Sequence, residues 1–91
     1  MSVTLQLPAV LSRLAGGARA LPAEGGTLGD VVGDVSRRFP ALAPRLRDEQ
    51  GELYPFVTIY LNDEDVRFLG GFEAAVKDGD VVTVVPALVG G

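Results

Sequence analysis

Ninety-one residues with a net charge of −4, no cysteine and no histidine describe one small acidic domain, which buries only about 60–65% of its unfolded surface. That composition excludes disulfides, thiolate chemistry and a histidine general base, and the negative balance speaks against a nucleic-acid backbone as partner. No apolar run is long enough to span a bilayer, and the start lacks the basic region and apolar core of a signal peptide, so a cytoplasmic protein with no membrane partner is expected.

In chain order, Val3, Leu5 and Leu7 alternate with Thr4 and Gln6, the period of two of a half-buried strand, and Pro8 follows. Gly16-Gly17 separates this run from a short extended piece, Ala18 to Leu21, which predicts a hairpin, and Pro22 to Gly26 reads as a loop. Thr27 and Asp30 then have the spacing of a capping box. Leu28, Val31, Val32, Val35 and Phe39 form one helical stripe that Pro40 stops. Asp30 and Asp34 near the start and Arg37 and Arg38 near the end suit the helix dipole. Gly29 and Gly33 weaken the helix by about 1 kcal/mol each, and close packing on a sheet is the expected return.

Leu53 to Leu61 is a second strand pattern, with Val57, Ile59 and Leu61 on one side and Phe56, Thr58 and Tyr60 on the other. Asn62 to Asp65 has turn composition, and Val66 to Leu69 is expected to return as a short strand. Lys77-Asp78-Gly79-Asp80 is a tight-turn signal before the last strand, Val81 to Val85. The whole predicts an α+β fold, a mixed sheet of four to five strands packed on one main helix. If Val82 and Val84 face the helix, then Val81, Thr83 and Val85 face outward with Phe56, Thr58 and Tyr60. Together they make a semi-apolar candidate partner surface; scattered exposed apolar residues are the plainer reading.

Catalytic residues and metal ligands are not expected. Asp63, Glu64 and Asp65 lack the spacing of a calcium loop. The glycine-rich stretches fit neither phosphate-binding nor dinucleotide patterns, and Ser2, Ser12 and Ser36 have no histidine partner. What remains is the end of the chain, Gly90-Gly91. Without Cβ atoms, two glycines can thread a narrow channel and bring backbone close to a partner, which leaves the terminal carboxylate as the least hindered reactive group. The domain is therefore divided into a body, residues 1–86, and a flexible tail, residues 87–91.

The element order and the Gly-Gly end resemble the ubiquitin-like β-grasp sulfur carriers of the ThiS/MoaD superfamily, over essentially the whole chain. Three stretches are most similar to the carriers of cysteine biosynthesis (CysO type). They are Gly26-Thr27-Leu28-Gly29 opening the helix, Asn62 to Phe68 with Gly70-Gly71 beyond it, and Asp78-Gly79-Asp80 leading into Val84-Val85-Pro86-Ala87-Leu88-Val89-Gly90-Gly91. Val89 departs from the alanine that many members carry there.

The resemblance implies that the protein is no enzyme but a co-substrate. An E1-like enzyme would adenylate the Gly91 carboxylate with ATP, which the partner uses and this chain does not bind. Sulfur would then displace AMP to leave a thiocarboxylate, with Gly90 giving clearance and Leu88 and Val89 helping recognition. The five residues after Pro86 reach at most about 17 Å, enough to enter a partner's active site while the body docks outside. Expected partners are the activating enzyme, a sulfur acceptor such as a PLP-dependent cysteine synthase, and a metalloprotease that trims the tail; molybdopterin or thiosugar synthesis would use the same chemistry. The carrier alone is expected to be a monomer. Two other readings stay open: a ubiquitin-like modifier joined to target lysines through Gly91, and a β-grasp binding module whose Gly-Gly is incidental. Lys77 is the only lysine, so branched chains would have one side-chain attachment point.

Overall fold

A computed structural model of the chain describes residues 2–86. The elements are strand β1 (Ser2–Gln6), a single helical turn α1 (Ala9–Ser12), β2 (Ala20–Glu24), the main helix α2 (Leu28–Arg38), a second short turn α3 (Ala43–Leu46), β3 (Val57–Leu61), β4 (Glu64–Asp65) and β5 (Val81–Pro86). The strands make one mixed sheet in the order β2-β1-β5-β3-β4. β1 and β5 run parallel at its centre; every other neighbouring pair is antiparallel. This is a β-grasp arrangement, with α2 across one sheet face.

Alternation builds the core directly. Val3 and Leu5 of β1, Leu21 and Ala23 of β2, Ile59 and Leu61 of β3, and Val82 and Val84 of β5 are buried on the helix side. Leu28, Val31, Val32 and Val35 of α2 meet them, and Leu42 and Leu46 complete the cluster. Helix α2 starts where expected. The Thr27 hydroxyl accepts the Asp30 N–H at 3.1 Å, satisfying one of the donors a helix start leaves open. The reciprocal arm of the capping box is shifted by one residue, because the Asp30 carboxylate accepts from Gly26 N–H at 3.3 Å.

Several boundaries differ from the sequence expectation. β2 does not stop at Leu21 but runs on through Pro22 to Glu24, which proline tolerates because β2 is an edge strand. The span between β1 and β2 holds α1 and a 3-10 turn, Arg13–Ala15, rather than a plain loop. The strand expected from Leu53 starts only at Val57; Leu53 makes an isolated bridge to Arg47. The returning strand is the two residues Glu64 and Asp65, and Val66–Phe68 is a 3-10 turn. The physical cause there is local: the Asp65 carboxylate accepts the Arg67 N–H at 2.9 Å and caps a turn where a strand would need an extended chain.

Candidate functional site

The face of the sheet turned away from α2 carries the candidate surface, and β5 is its spine. Val81, Thr83 and Val85 alternate outward from it as Val82 and Val84 go inward. The register places Thr58 opposite Val85 and Tyr60 opposite Thr83 on one side, and Thr4 opposite Val81 and Gln6 opposite Thr83 on the other. Five of the six candidate residues therefore share one continuous face.

Phe56 is placed differently from the rest. It lies in the turn before β3, 55% exposed, and packs edge-on against Tyr54 with ring centroids 5.4 Å apart. Its neighbour Val57 is opposite Pro86, so Phe56 stands at the end of the sheet where residues 87–91 begin. Gly91, Gly90, Val89 and Leu88 lie outside the described residues.

Sequence reasoning missed Thr4, Gln6 and Arg19 as members of this surface. Alternation in β1 put Thr4 and Gln6 on a solvent face, but only the central pairing of β1 with β5 shows that this face is shared. The Thr83 hydroxyl donates to Gln6 Oε1 at 3.3 Å, tying the two strands across it. A shallow groove of about 410 Å³ opens beside them, lined by Gln6, Leu7, Pro8, Arg19, Thr83 and Val84 among others. A smaller concavity of about 270 Å³ lies on the other side of Thr83, against Tyr60, Asn62 and Asp63. A larger one, about 460 Å³, is on the helix side between α2 and α3 and contains no candidate residue.

Charge is distributed unevenly around this face. β1, β3 and β5 contain no acidic residue at all. Five of the twelve carboxylates, Asp63, Glu64, Asp65, Asp78 and Asp80, lie in the turns at the far end of β3 and β5. Most of those whose bonds are resolved do structural work. Asp80 accepts the Lys77 N–H at 2.8 Å, Asp78 accepts the Ser2 N–H at 2.9 Å, and Arg67 binds Asp65 and holds its carboxyl below the usual range. Asn62, at φ 58°, accepts the Val81 N–H at 3.1 Å and so starts β5 in register. Among the described residues no cluster of histidine, cysteine, aspartate or glutamate is arranged to hold a metal ion, and no helix is long and apolar enough to cross a membrane.

The sheet face away from α2 thus carries neutral and apolar side chains around β5, the strand that precedes residues 87–91. The model of the ThiS family matches residues 5–91. The chain belongs to the ThiS family. It is 45% identical over 93 residues to the sulfur carrier protein CysO of Mycobacterium tuberculosis, covering 100% of both chains. The CysO-type chain in the crystal structure of the Amycolatopsis orientalis BexX/CysO complex is 44% identical, with a TM-score of 0.91 over 98% of this chain and 99% of that one. The solution structure of small archaeal modifier protein 1 from Methanosarcina acetivorans matches at 31% identity and TM-score 0.85, over 99% of this chain and 96% of that chain. The fold of this ThiS-family member is thus shared by proteins named as carriers and as modifiers.

Proposed function

We propose that this chain is a sulfur carrier, a co-substrate and not an enzyme, loaded at Gly91. An E1-like enzyme joins the Gly91 carboxylate to the AMP of ATP with release of pyrophosphate, which converts a poor electrophile into one with a good leaving group. Sulfide attacks the acyl carbon, AMP leaves, and a thiocarboxylate remains for transfer to an acceptor enzyme. The observation that carries this reading is the 45% identity to a CysO sulfur carrier across the full length of both chains. Cysteine synthesis by a PLP-dependent acceptor is the pathway it favours, followed by trimming of the tail by a metalloprotease. Phe56, Thr58, Tyr60, Val81, Thr83 and Val85 would seat the body against the activating enzyme, with Leu88 and Val89 leading Gly90 and Gly91 into its channel.

The test is intact-mass analysis after incubation with the E1-like enzyme, ATP-Mg²⁺ and sulfide. One oxygen-for-sulfur exchange is expected on the wild type. Gly90→Val should slow loading by about 100-fold, the scale of a 1 Å misplacement at a reacting centre, with unchanged thermal unfolding; normal loading of that variant would sink the channel argument. The likeness to a small archaeal modifier protein favours a second reading, conjugation through Gly91 to lysines of other proteins. Attachment to target proteins in the same reaction would identify it, and a plain binding module would react in neither way.

A further inference from the structure

Among the described residues, Arg13, Arg19, Arg45 and Arg47 make no ion pair, and of these Arg19 is the one that a hydrogen bond to backbone holds in place. Arg37 and Arg38 pair with Asp34, and Arg67 pairs with Asp65. Arg47 lies over the Phe72 ring at 4.4 Å. Arg19 has no carboxylate within ion-pair distance among the described residues, yet it is held in place. Its Nε donates to the Leu7 carbonyl at 3.1 Å, and its own carbonyl accepts the Leu7 N–H at 2.8 Å. The two terminal nitrogens carry no hydrogen bond to the described residues, and Arg19 is one of the residues that line the groove beside Gln6, Thr83 and Val84.

Its surroundings make that charge conspicuous. The chain carries twelve acidic residues, and none of them precedes Glu24. Glu24 itself is at the opposite end of β2, across from Ser2. β1 runs parallel to β5 with Gln6 opposite Thr83, so Leu7 and the Arg19 fixed to it lie alongside the last residues of β5, just before the tail begins. A chain of net charge −4 thus presents an oriented cation beside strands β1 and β5, which carry no acidic residue, with Asp63, Glu64, Asp65, Asp78 and Asp80 at the other end of the sheet.

Resting on the carrier reading above, we infer that Arg19 is an ionic anchor for a carboxylate side chain on the rim of the activating enzyme's tail channel. A guanidinium fixed through Nε offers its remaining fork to a carboxylate at little entropic cost. A single opposite-charge contact over a neutral surface sets orientation and speeds encounter more than it adds raw affinity. The anchor sits on the β1 side of the tail's start and Phe56 on the β3 side, so the two would brace it from both flanks.

Steady-state loading with the E1-like enzyme, ATP-Mg²⁺ and sulfide, followed by intact mass, tests this. Arg19→Glu should raise the KM for the carrier by about tenfold with kcat within about twofold, and Arg19→Lys should recover part of that loss. Arg45→Glu, at an exposed position of α3, is the control and should leave both constants unchanged. The wild-type kcat/KM should fall as salt rises from about 50 mM to 0.5 M, as the Debye length shrinks, and Arg19→Gln should flatten that slope, which a purely structural role would not do. A wild type that loads normally while Arg19→Glu keeps its KM within twofold overturns the anchor alone. Loading independent of salt overturns it too, even if Arg19→Glu fails to fold. A wild type that takes up no sulfur overturns the carrier reading and the anchor with it.

Discussion

Gly29 and Gly33 are four residues apart on α2, yet a methyl group would meet different surroundings at each. At Gly33 the nearest atom would be the Arg37 guanidinium, 3.7 Å away, an ordinary contact. At Gly29 it would meet the Phe72 carbonyl at 3.2 Å and Phe72 Cβ at 3.4 Å. Close packing thus applies to Gly29 alone, and its neighbour is the 3-10 turn Gly71–Glu73 rather than the sheet. Gly33→Ala should stabilise the protein by about 0.5–1 kcal/mol through helix propensity. Gly29→Ala should fall short of that gain or reverse it, as urea denaturation of the two variants would show. The stripe and both glycines are legible in the sequence, but which glycine is packed depends on a turn more than forty residues away. Phe56 makes the same point at the surface: alternation assigns it to a strand face, while the structure places it in the turn before β3, packed against Tyr54.

At the scale of elements, the exposed edge of β2 is latched to α2. Asp34 accepts the Glu24 N–H at 3.0 Å, and Arg38 donates to the Pro22 carbonyl at 2.6 Å and to Asp34 at 3.1 Å. These bonds show that the backbone groups of residues 22 and 24 point away from β1, so proline removes no ladder bond at this position, and the edge is shielded from pairing with other chains. Sequence reasoning ended this strand early because Pro22 is a breaker in general; the helix beside it makes it an edge residue here. The Glu24 N–H, and then Arg38 and Arg37, lower the Asp34 pKa against an opposing effect of partial burial. A carboxyl with a depressed native pKa contributes stability above its unfolded value, near pH 4, and that contribution is lost as pH falls through the native value. Asp34→Asn should therefore be less stable at neutral pH and lose less stability than the wild type on acidification below about pH 4, measured by thermal unfolding across that range.

For the whole molecule, β5 joins the two halves, parallel to β1 and antiparallel to β3, and its alternate residues serve opposite purposes. Val82 is fully buried while Val85 is exposed. Val82→Ala should cost about 2–3 kcal/mol, a fall in Tm on the order of 10–20 °C for a domain of this size. Val85→Ala should stay within about 0.5 kcal/mol in stability and instead weaken carrier loading, seen as a raised KM. The same alternation separates the core from the opposite sheet face in a single six-residue strand. Charge is unevenly placed as well: β1, β3 and β5 carry no acidic residue, while Asp63, Glu64, Asp65, Asp78 and Asp80 lie in the turns where β3 ends and β5 begins.

By itself, the sequence determined the fold class, the capped helix, the inward and outward sets of β3 and β5, and the Gly-Gly end, because each is written in short-range periodicity or in the identity of single residues. Tertiary structure alone decided that β1 lies against β5, that Gln6 and Arg19 therefore join Thr83 on one surface, and that Pro22 belongs to an edge. Those facts rest on pairings between residues as many as 77 positions apart in the chain. Such pairings are set by burial of a shared core and by strand register, which no local pattern encodes.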